Sequence, residues 1–338
     1  MKPESLRDVG EFGLIHRIDD LLKREGLHAP GVTLGIGDDT ASFKARSGYE
    51  ILVTCDCAVE GRHFMLPGIS FMDLGGRSMM LNISDIGAMG GHPLYALISL
   101  GLKNDTLVKD IEDLYRGFLA ELNPFGGSII GGNLTGSGDG IFIDITLIGE
   151  VEEGRAVRRS GAGPGDVILV TGYPGHSAAG LQLLLQSLAS VEHPLVRAYH
   201  RPSHRAREGR AVGLTGRATA MIDTSDGFLG DLGHICEESR VGALLAPERF
   251  PISEELREAA KILNKEPHEF FLGDSDDYQL IITCGAEDAD RIRSAIAVTY
   301  DGPVTEVGKV TGPDQGIRIL LADGSEQSFS AKGWDHFR

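Results

Sequence analysis

The sequence predicts a two-domain α/β (α+β) chain, and three observations carry that expectation. The chain has 338 residues, the length of two ordinary domains. Strand-like and helix-like segments alternate through both halves. A polar, glycine-rich seam, "EEGRAVRRSGAGPGD" at 152–166, separates those halves, so the expected domains are residues 1–150 and 151–338.

The first half opens with "EFGLIHRIDDLLKREG" (11–26), whose apolar residues recur at helical spacing and stop at Gly26. "EILVTCDC" (50–57) alternates as a strand, with Leu52, Thr54 and Asp56 on one face and Val53, Cys55 and Cys57 on the other. "DLGGRSMMLNISDIGAMGG" (73–91) reads as a helix ending at Gly90-Gly91, with Ser78, Asn82 and Asp85 on one side. "LYALISLGL" has the unbroken apolar run of a buried strand, and "LVKDIEDLYRGFLAELNPFG" is an amphipathic helix. "SIIGG" and "GIFIDITLIGEV" flank a stretch that reads as a glycine-rich turn, "GGNLTGSGDG" (131–140).

The second half begins with the strand "VILVTG", followed by the helix "GHSAAGLQLLLQSLAS". "ATAMIDTSDGFLGDLGHICEES" (218–239) is strand, turn and helix. "FFLGDSDDYQLIITC" is a turn feeding a strand, and "ADRIRSAIAVTY" is a further helix. The basic stretch "RAYHRPSHRAREGR" (197–210) reads as a solvated connector rather than a phosphate clamp. His200 and His204 are four apart there, but Pro202 between them argues against a zinc pair.

Composition narrows the function classes. A net charge of −17 disfavours nucleic acid and anionic membrane surfaces as partners, because both reward basic patches. Four cysteines in a chain this long, with no CxxC pair, point to reduced thiols rather than a disulfide scaffold. The N-terminal "MKPESLRDVGEFGL" lacks the apolar core of a signal peptide, and no apolar run approaches the ~20 residues of a membrane helix. The expected location is the cytoplasm.

Within that acidic chain, carboxylates gather at turns and element ends: Asp38 and Asp39 in "GIGDDTASF", then Asp56, Asp85, Asp223 and Asp226, and Asp274, Asp276 and Asp277. Adjacent like charges repel and call for solvent, a shared proton or a cation. Hard cations such as Mg²⁺ take oxygen ligands, a few carboxylates each plus phosphate oxygens. Each turn by itself also suits ordinary turn chemistry, and Ser225 or Asp226 would serve as a helix cap. No EF-hand loop, Walker sequence or GxGxxG after an N-terminal strand is present.

The ordered set is more specific than its parts. "EFGLIHRI", "GIGDDTASF", "VTCDCAVEGRHF", "LNISDIGAMGG", "IIGGN", "RSGAGPGD", "TGYPGHSAAGL", "RPSHR", "IDTSDGFLGDLGHI", "GDSDDYQL" and "KGWDHF" span residues 11–337 and resemble the thiamine-monophosphate kinase family of the aminoimidazole ribonucleotide synthetase superfamily. The resemblance implies two α/β domains of that synthetase-like fold and a homodimer joined through N-terminal sheets. It also implies transfer of a phosphoryl group from ATP, with several Mg²⁺ ions, to thiamine monophosphate. By resemblance the metal ligands are Asp38, Asp56, Asp85, Asp223 and Asp226, with Thr54, Cys55 and Asn133 contributing oxygen. Gly132, Asn133, Arg159 and Ser225 would meet the nucleotide, and His63, Asp276 and Trp334 the acceptor.

Some of these residues depart from the family pattern. Gly131-Gly132-Asn133 stands where the family has Gly-Gly-Asp, which exchanges a carboxylate for a neutral carbonyl oxygen. Asp276 stands in place of a Glu one methylene longer, and Cys55 in place of Thr. The resemblance therefore leaves room for a superfamily member with another acceptor, or for a non-catalytic nucleotide or Mg²⁺ sensor. His63 and Trp334 each also suit a plain packing role. No side-chain general base is expected, because the acceptor phosphate is already largely anionic, with a second pKa near ~6.

Overall fold

Ser5 starts the first helix, its backbone N–H donating to Asp8 Oδ2 at 2.8 Å. In the computed structural model, which describes residues 4–27, 31–37, 39–66, 68–138, 140–321 and 323–329, that helix is α1 (Leu6–Glu25). It begins five residues before the stretch the apolar spacing marked, because Gly10 (φ 66°, ψ 177°) breaks the helical path and interrupts the pattern. It ends at Gly26 as expected.

The chain divides into two compact units, Met1–Ile86 with Gly91–Gly154, and Gly87–Gly90 with Arg155–Arg338. In the first, α1 is followed by the short antiparallel pair β1 (Val32–Leu34) and β2 (Ser42–Phe43). Then come β3 (Tyr49–Val59), α2 (Phe71–Ala88), β4 (His92–Leu102), α3 (Val108–Leu122), β5 (Ser128–Gly136) and β6 (Phe142–Glu152). The four long strands form a sheet in the order β3-β6-β4-β5. Only the β4–β5 pair is parallel.

That order corrects the reading of residues 131–140 as a turn. β5 continues through Gly136, and β4 lies between β5 and β6, so no hairpin joins them. Gly132 sits inside a strand because a Cβ there would meet the Ile98 carbonyl oxygen at 1.9 Å. The two helices meet as closely: a Cβ on Gly117 of α3 would lie 2.2 Å from the Met72 carbonyl of α2.

Alternation on β3 sorts its faces as the sequence requires. Leu52, Thr54, Asp56 and Ala58 are half-buried or buried, whereas Ile51, Val53, Cys55 and Cys57 are exposed, Val53 at 64%.

The second unit contains β7 (Val167–Thr171), α4 (His176–Leu185), α5 (Pro194–His200), α6 (Ala206–Thr215) and β8 (Ala218–Asp223). It continues with α7 (Phe228–Ser239), β9 (Gly242–Leu245), α8 (Glu254–Leu263), α9 (His268–Phe271), β10 (Leu280–Cys284), α10 (Ala289–Ile296), β11 (Val304–Thr311), β12 (Ile317–Leu320) and β13 (Glu326–Phe329). The sheet order is β13-β12-β9-β11-β7-β10-β8, antiparallel except at β9–β12.

Every residue of β7 and β10 is buried. Val167 and Leu169 pack with α6 and α10, and Ile168 and Val170 with α4, α7 and α8. A sheet covered on both faces accounts for strands that read as continuous apolar runs. α4 stops at Leu185, short of the predicted helix, and Ser187 then takes a left-handed φ of 55°.

Candidate functional site

Two groups of acidic side chains emerge, one in each unit. In the first, Asp56 follows Thr54 on the face of β3 opposite the exposed cysteines. Thr54 Oγ1 donates to Asp85 Oδ2, tying this strand face to α2. One turn before Asp85, Asn82 is fully buried and donates to the Ser78 carbonyl, while its Oδ1 has no hydrogen-bond partner among the described residues. At the end of β3, His63 Nδ1 accepts from the Val59 N–H at 3.1 Å. An accepting Nδ1 is unprotonated, so the ring proton of the neutral form sits on Nε2.

The register separates Asn133 from these carboxylates. Asp56, Ile145, Ile98 and Gly132 lie in one cross-strand row, and Cys57, Asp144, Ser99 and Asn133 in the next. Successive rows point to opposite faces. Asn133 and Cys55 therefore occupy the open face, where Cys55 Sγ lies 3.4 Å from Asp144 Oδ1. At Cys55 a hydrogen bond from Thr146 pulls the thiol pKa down, but burial and the Asp144 and Asp56 carboxylates together hold it above its ordinary value; at Cys57 burial first, and then the same carboxylates, raise it. Asp38 and Trp334 lie outside the described residues.

In the second unit, β8 ends at Asp223 and the turn through Ser225 and Asp226 leads into α7. Asp226 is not the helix cap: Gly227 holds that position, and no side chain caps the helix. Instead the Asp226 N–H donates to Asp231 Oδ2 at 3.1 Å. Asp226, Asp231 and His234 bring one donor atom each within 4.8 Å of one another. Burial first, and then the charges of Asp223 and Asp226, push the Asp231 carboxyl up to about 8.

The charge of Arg159 is felt at the Asp231 carboxyl and opposes that shift. Ser239 Oγ fixes the arginine's loop by donating to the Arg159 carbonyl at 3.0 Å and accepting from the Gly161 N–H at 3.1 Å. The loop holding Asp276 packs alongside. Thr224 N–H donates to the Gln279 carbonyl at 2.8 Å, and Tyr278 N–H to the Thr224 carbonyl at 2.9 Å. Ser177 Oγ on α4 donates to Asp276 Oδ1. Asp277 receives the N–H groups of Gly175 and Ser177 at 2.6 and 2.9 Å. Burial still raises its carboxyl to about 6.

Two family models match the chain: the N-terminal domain of AIR synthase related proteins over residues 37–151, and their C-terminal domain over residues 163–320. Thiamine-monophosphate kinase of Bacillus subtilis strain 168 is 34% identical over 335 residues, covering 98% of this chain and 100% of that protein. The chain belongs to the thiamine-monophosphate kinase family. The crystal structure of thiamine-monophosphate kinase from Stenotrophomonas maltophilia superposes with a TM-score of 0.79 at 31% identity, covering 94% of this chain and 98% of that one. A structure of AaThiL complexed with AMPPCP and TMP gives a TM-score of 0.75 at 32% identity over the full length of both chains.

For this member of the thiamine-monophosphate kinase family, the donor chemistry fits a hard divalent cation. Thr54, Asp56 and Asp85 offer only oxygen, as do Asp223, Ser225 and Asp226. A carboxyl held near 8 beside two other carboxylates is the arrangement that a cation would relieve. The His234 nitrogen suits softer metals and falls outside this set.

Asp231 and His234 escaped the sequence reading, although they sit at i and i+3 in the first turns of a predicted helix. Ser177 escaped it because nothing local links it to a residue 99 positions later.

Proposed function

We propose that this chain transfers the terminal phosphoryl group of ATP to the phosphate of thiamine monophosphate, giving thiamine diphosphate and ADP, in a Mg²⁺-dependent reaction. The observation that carries this reading is 34% identity to a thiamine-monophosphate kinase along 98% of the chain and the whole of the relative. The AMPPCP and TMP complex of AaThiL, at 32% identity, supports the same pair of substrates.

Asp56 and Asp85 in one unit, and Asp223 and Asp226 in the other, would hold Mg²⁺, with Asp38 a further ligand by family resemblance. Bound Mg²⁺ supplies charge neutralisation between two anionic phosphates. The chain's own part is positioning. Thr54 orients Asp85 through its hydroxyl. Arg159 carries a positive charge felt at Asp231 and would meet nucleotide phosphate. His63, its Nδ1 engaged by Val59, would present Nε2–H to the acceptor. Asp276, held by Ser177, would face the acceptor, and Trp334 would pack on its ring. Gly132 admits close backbone approach, and Asn133 adds a neutral oxygen on the open sheet face. No side chain needs to remove a proton, because a phosphomonoester is largely ionised above its second pKa of ~6.

The working unit in this proposal is a cytoplasmic homodimer. The sheet of the first unit exposes Val53 at 64%, Phe142 at 39% and Ile51 at 38%, an apolar surface suited to a second copy. Among the described residues no helix is long and apolar enough to cross a membrane.

The test is incubation of the purified protein with ATP, Mg²⁺ and thiamine monophosphate, with thiamine diphosphate read by chromatography. Product formed only when all three are present supports the reading. Absence of product, with nucleotide binding retained, refutes this acceptor.

A further inference from the structure

The basic connector "RAYHRPSHRAREGR" does not run free in solvent. It delivers Arg205, the residue before α6, to the side chain of Gln279, where Nε donates to Oε1 at 2.8 Å. The guanidinium also lies 4.2 Å from the centre of the Tyr300 ring, so it is held by neutral groups on two sides.

Gln279 stands where two site loops leave one sheet. β8 and β10 part at the pair Asp223–Leu280. One residue further out, the Thr224 N–H donates to the Gln279 carbonyl at 2.8 Å, and the Gln279 N–H donates to Thr224 Oγ1 at 3.0 Å. From this neck Thr224 leads on to Ser225 and Asp226, and Gln279 leads back to Asp276.

The Gln279 side chain is buried, at 7% exposure, and its amide is used at both ends. Oε1 accepts from Arg205 and from Thr171 Oγ1 at 3.1 Å, while Nε2 donates to the Asp277 carbonyl at 3.2 Å. An arginine Nε can only donate, and Thr171 Oγ1 already accepts the Leu280 N–H at 2.9 Å, which leaves its own proton for Oε1. These partners fix which way the amide points. Gly172 makes the room: a Cβ there would lie 2.2 Å from Gln279 Oε1.

What the amide holds is a strained segment. Tyr278 is buried and has a φ of 52°, in the left-handed region that bulky side chains avoid. Such backbone persists only where its surroundings over-determine it, and it gathers at functional sites. Here the restraints lie on both sides. The Tyr278 N–H donates to the Thr224 carbonyl at 2.9 Å, and Gln279 Nε2 engages the Asp277 carbonyl. Asp276 comes next, with its carboxylate taken by Ser177.

We propose that Gln279, anchored by Arg205, is a positioning residue that locks residues 276–278 and so fixes Asp276 where it faces the acceptor. That Asp276 faces the acceptor rests on the proposed reaction; the locking of the loop does not. Two measurements on the full chain test it. The first is hydrogen–deuterium exchange without substrates. Arg205→Met keeps the stem and removes the donors, so amides of 274–279 should exchange about tenfold faster while those of β7 and β10 keep their protection. Arg205→Lys, which can still donate to Oε1, should stay near the parent. The second is steady-state kinetics. Arg205→Met should raise KM for thiamine monophosphate about tenfold and lower kcat, with KM for ATP unchanged. The double variant with Ser177→Ala should lose less than the two single losses combined, because both restraints act on one carboxylate.

Three results would overturn the proposal: unchanged loop exchange in Arg205→Met, equal rises in KM for both substrates, or fully additive losses in the double variant. A parent protein that makes no thiamine diphosphate refutes the reaction instead, and the loop exchange then decides the positioning.

Discussion

Thr54 and Asp85, 31 residues apart, are joined by a hydroxyl-to-carboxylate hydrogen bond that links β3 to α2. Hydrogen bonds to charged groups contribute about 1.5–3 kcal/mol. Thr54→Val keeps the shape and removes the donor, so turnover should fall roughly tenfold or more on that scale. Thr54→Ser should retain most activity. Asp85→Asn and Asp56→Asn should lose about 10²–10³ in kcat, the size of a removed transition-state clamp. Steady-state kinetics with a melting curve for each variant check this. Equal losses in the Val and Ser variants would count against the hydroxyl.

Ser177 holds Asp276 from the start of α4. Loss of that hydroxyl in Ser177→Ala leaves the carboxylate less ordered where the acceptor is expected. KM for thiamine monophosphate should rise severalfold while KM for ATP stays put. The split between the two constants is the readout, because general destabilisation would not separate the substrates. Ser177→Thr should restore the acceptor KM.

Two glycines of β5 give a paired test of packing. A Cβ at Gly132 would lie 1.9 Å from the Ile98 carbonyl oxygen, whereas one at Gly136 would meet nothing within 4 Å. Gly132→Ala should cost several kcal/mol or prevent folding, since overpacking against backbone costs about 1–3 kcal/mol even where the core can adjust. Gly136→Ala should be close to neutral. Urea denaturation of the two variants decides it, and similar stabilities would contradict the close approach of β4 and β5.

His176 gives the acid limb of stability. Burial lowers its pKa from the ordinary 6.5 to about 4, with Glu255 opposing, and Nε2 lies 2.8 Å from Ser253 Oγ. Below about 6.5 the unfolded chain takes up this proton and the folded chain does not, so stability is full above that pH and is lost as pH falls toward 4. At about 1.36 kcal/mol per unit, the loss from about pH 7 to about pH 4.5 is roughly 2–3 kcal/mol. His176→Gln should lose that much less over the same interval. Urea midpoints at the two pH values measure it, and parallel losses would remove His176 as the cause.

Most elements were legible because their cause is local. β3 shows its two faces in the order of its residues, and β7 shows its double burial as an unbroken apolar run. The failures came where the cause lies elsewhere in the chain. Residues 131–136 look like turn because of their glycines, yet the carbonyl that demands Gly132 belongs to β4. The opposite facing of Asn133 and Asp56, which the resemblance places in one ligand set, is likewise invisible in the sequence, because the register that sets it is shared by four strands. A cap at Ser225 or Asp226 was a fair reading of the sequence, but the positive φ of 106° at Gly227 gives that position to glycine. The recurring Asp-Gly turns were visible one by one. That the chain threads the 224–227 turn against the 274–279 loop follows only from the pairing of β8 with β10.

The sheet order of the second unit also sets a timetable for synthesis. β7 is its first strand to be made, yet its neighbours on either side are β10 and β11, which begin at Leu280 and Val304. The apolar segment Val167–Thr171 thus leaves the ribosome with no partner until about a hundred further residues have followed. The first unit closes its four-stranded sheet once Glu152 has emerged. Nascent chains halted between these points would carry one finished half and one adhesive strand, a state that chaperones bind and that freely diffusing chains aggregate through.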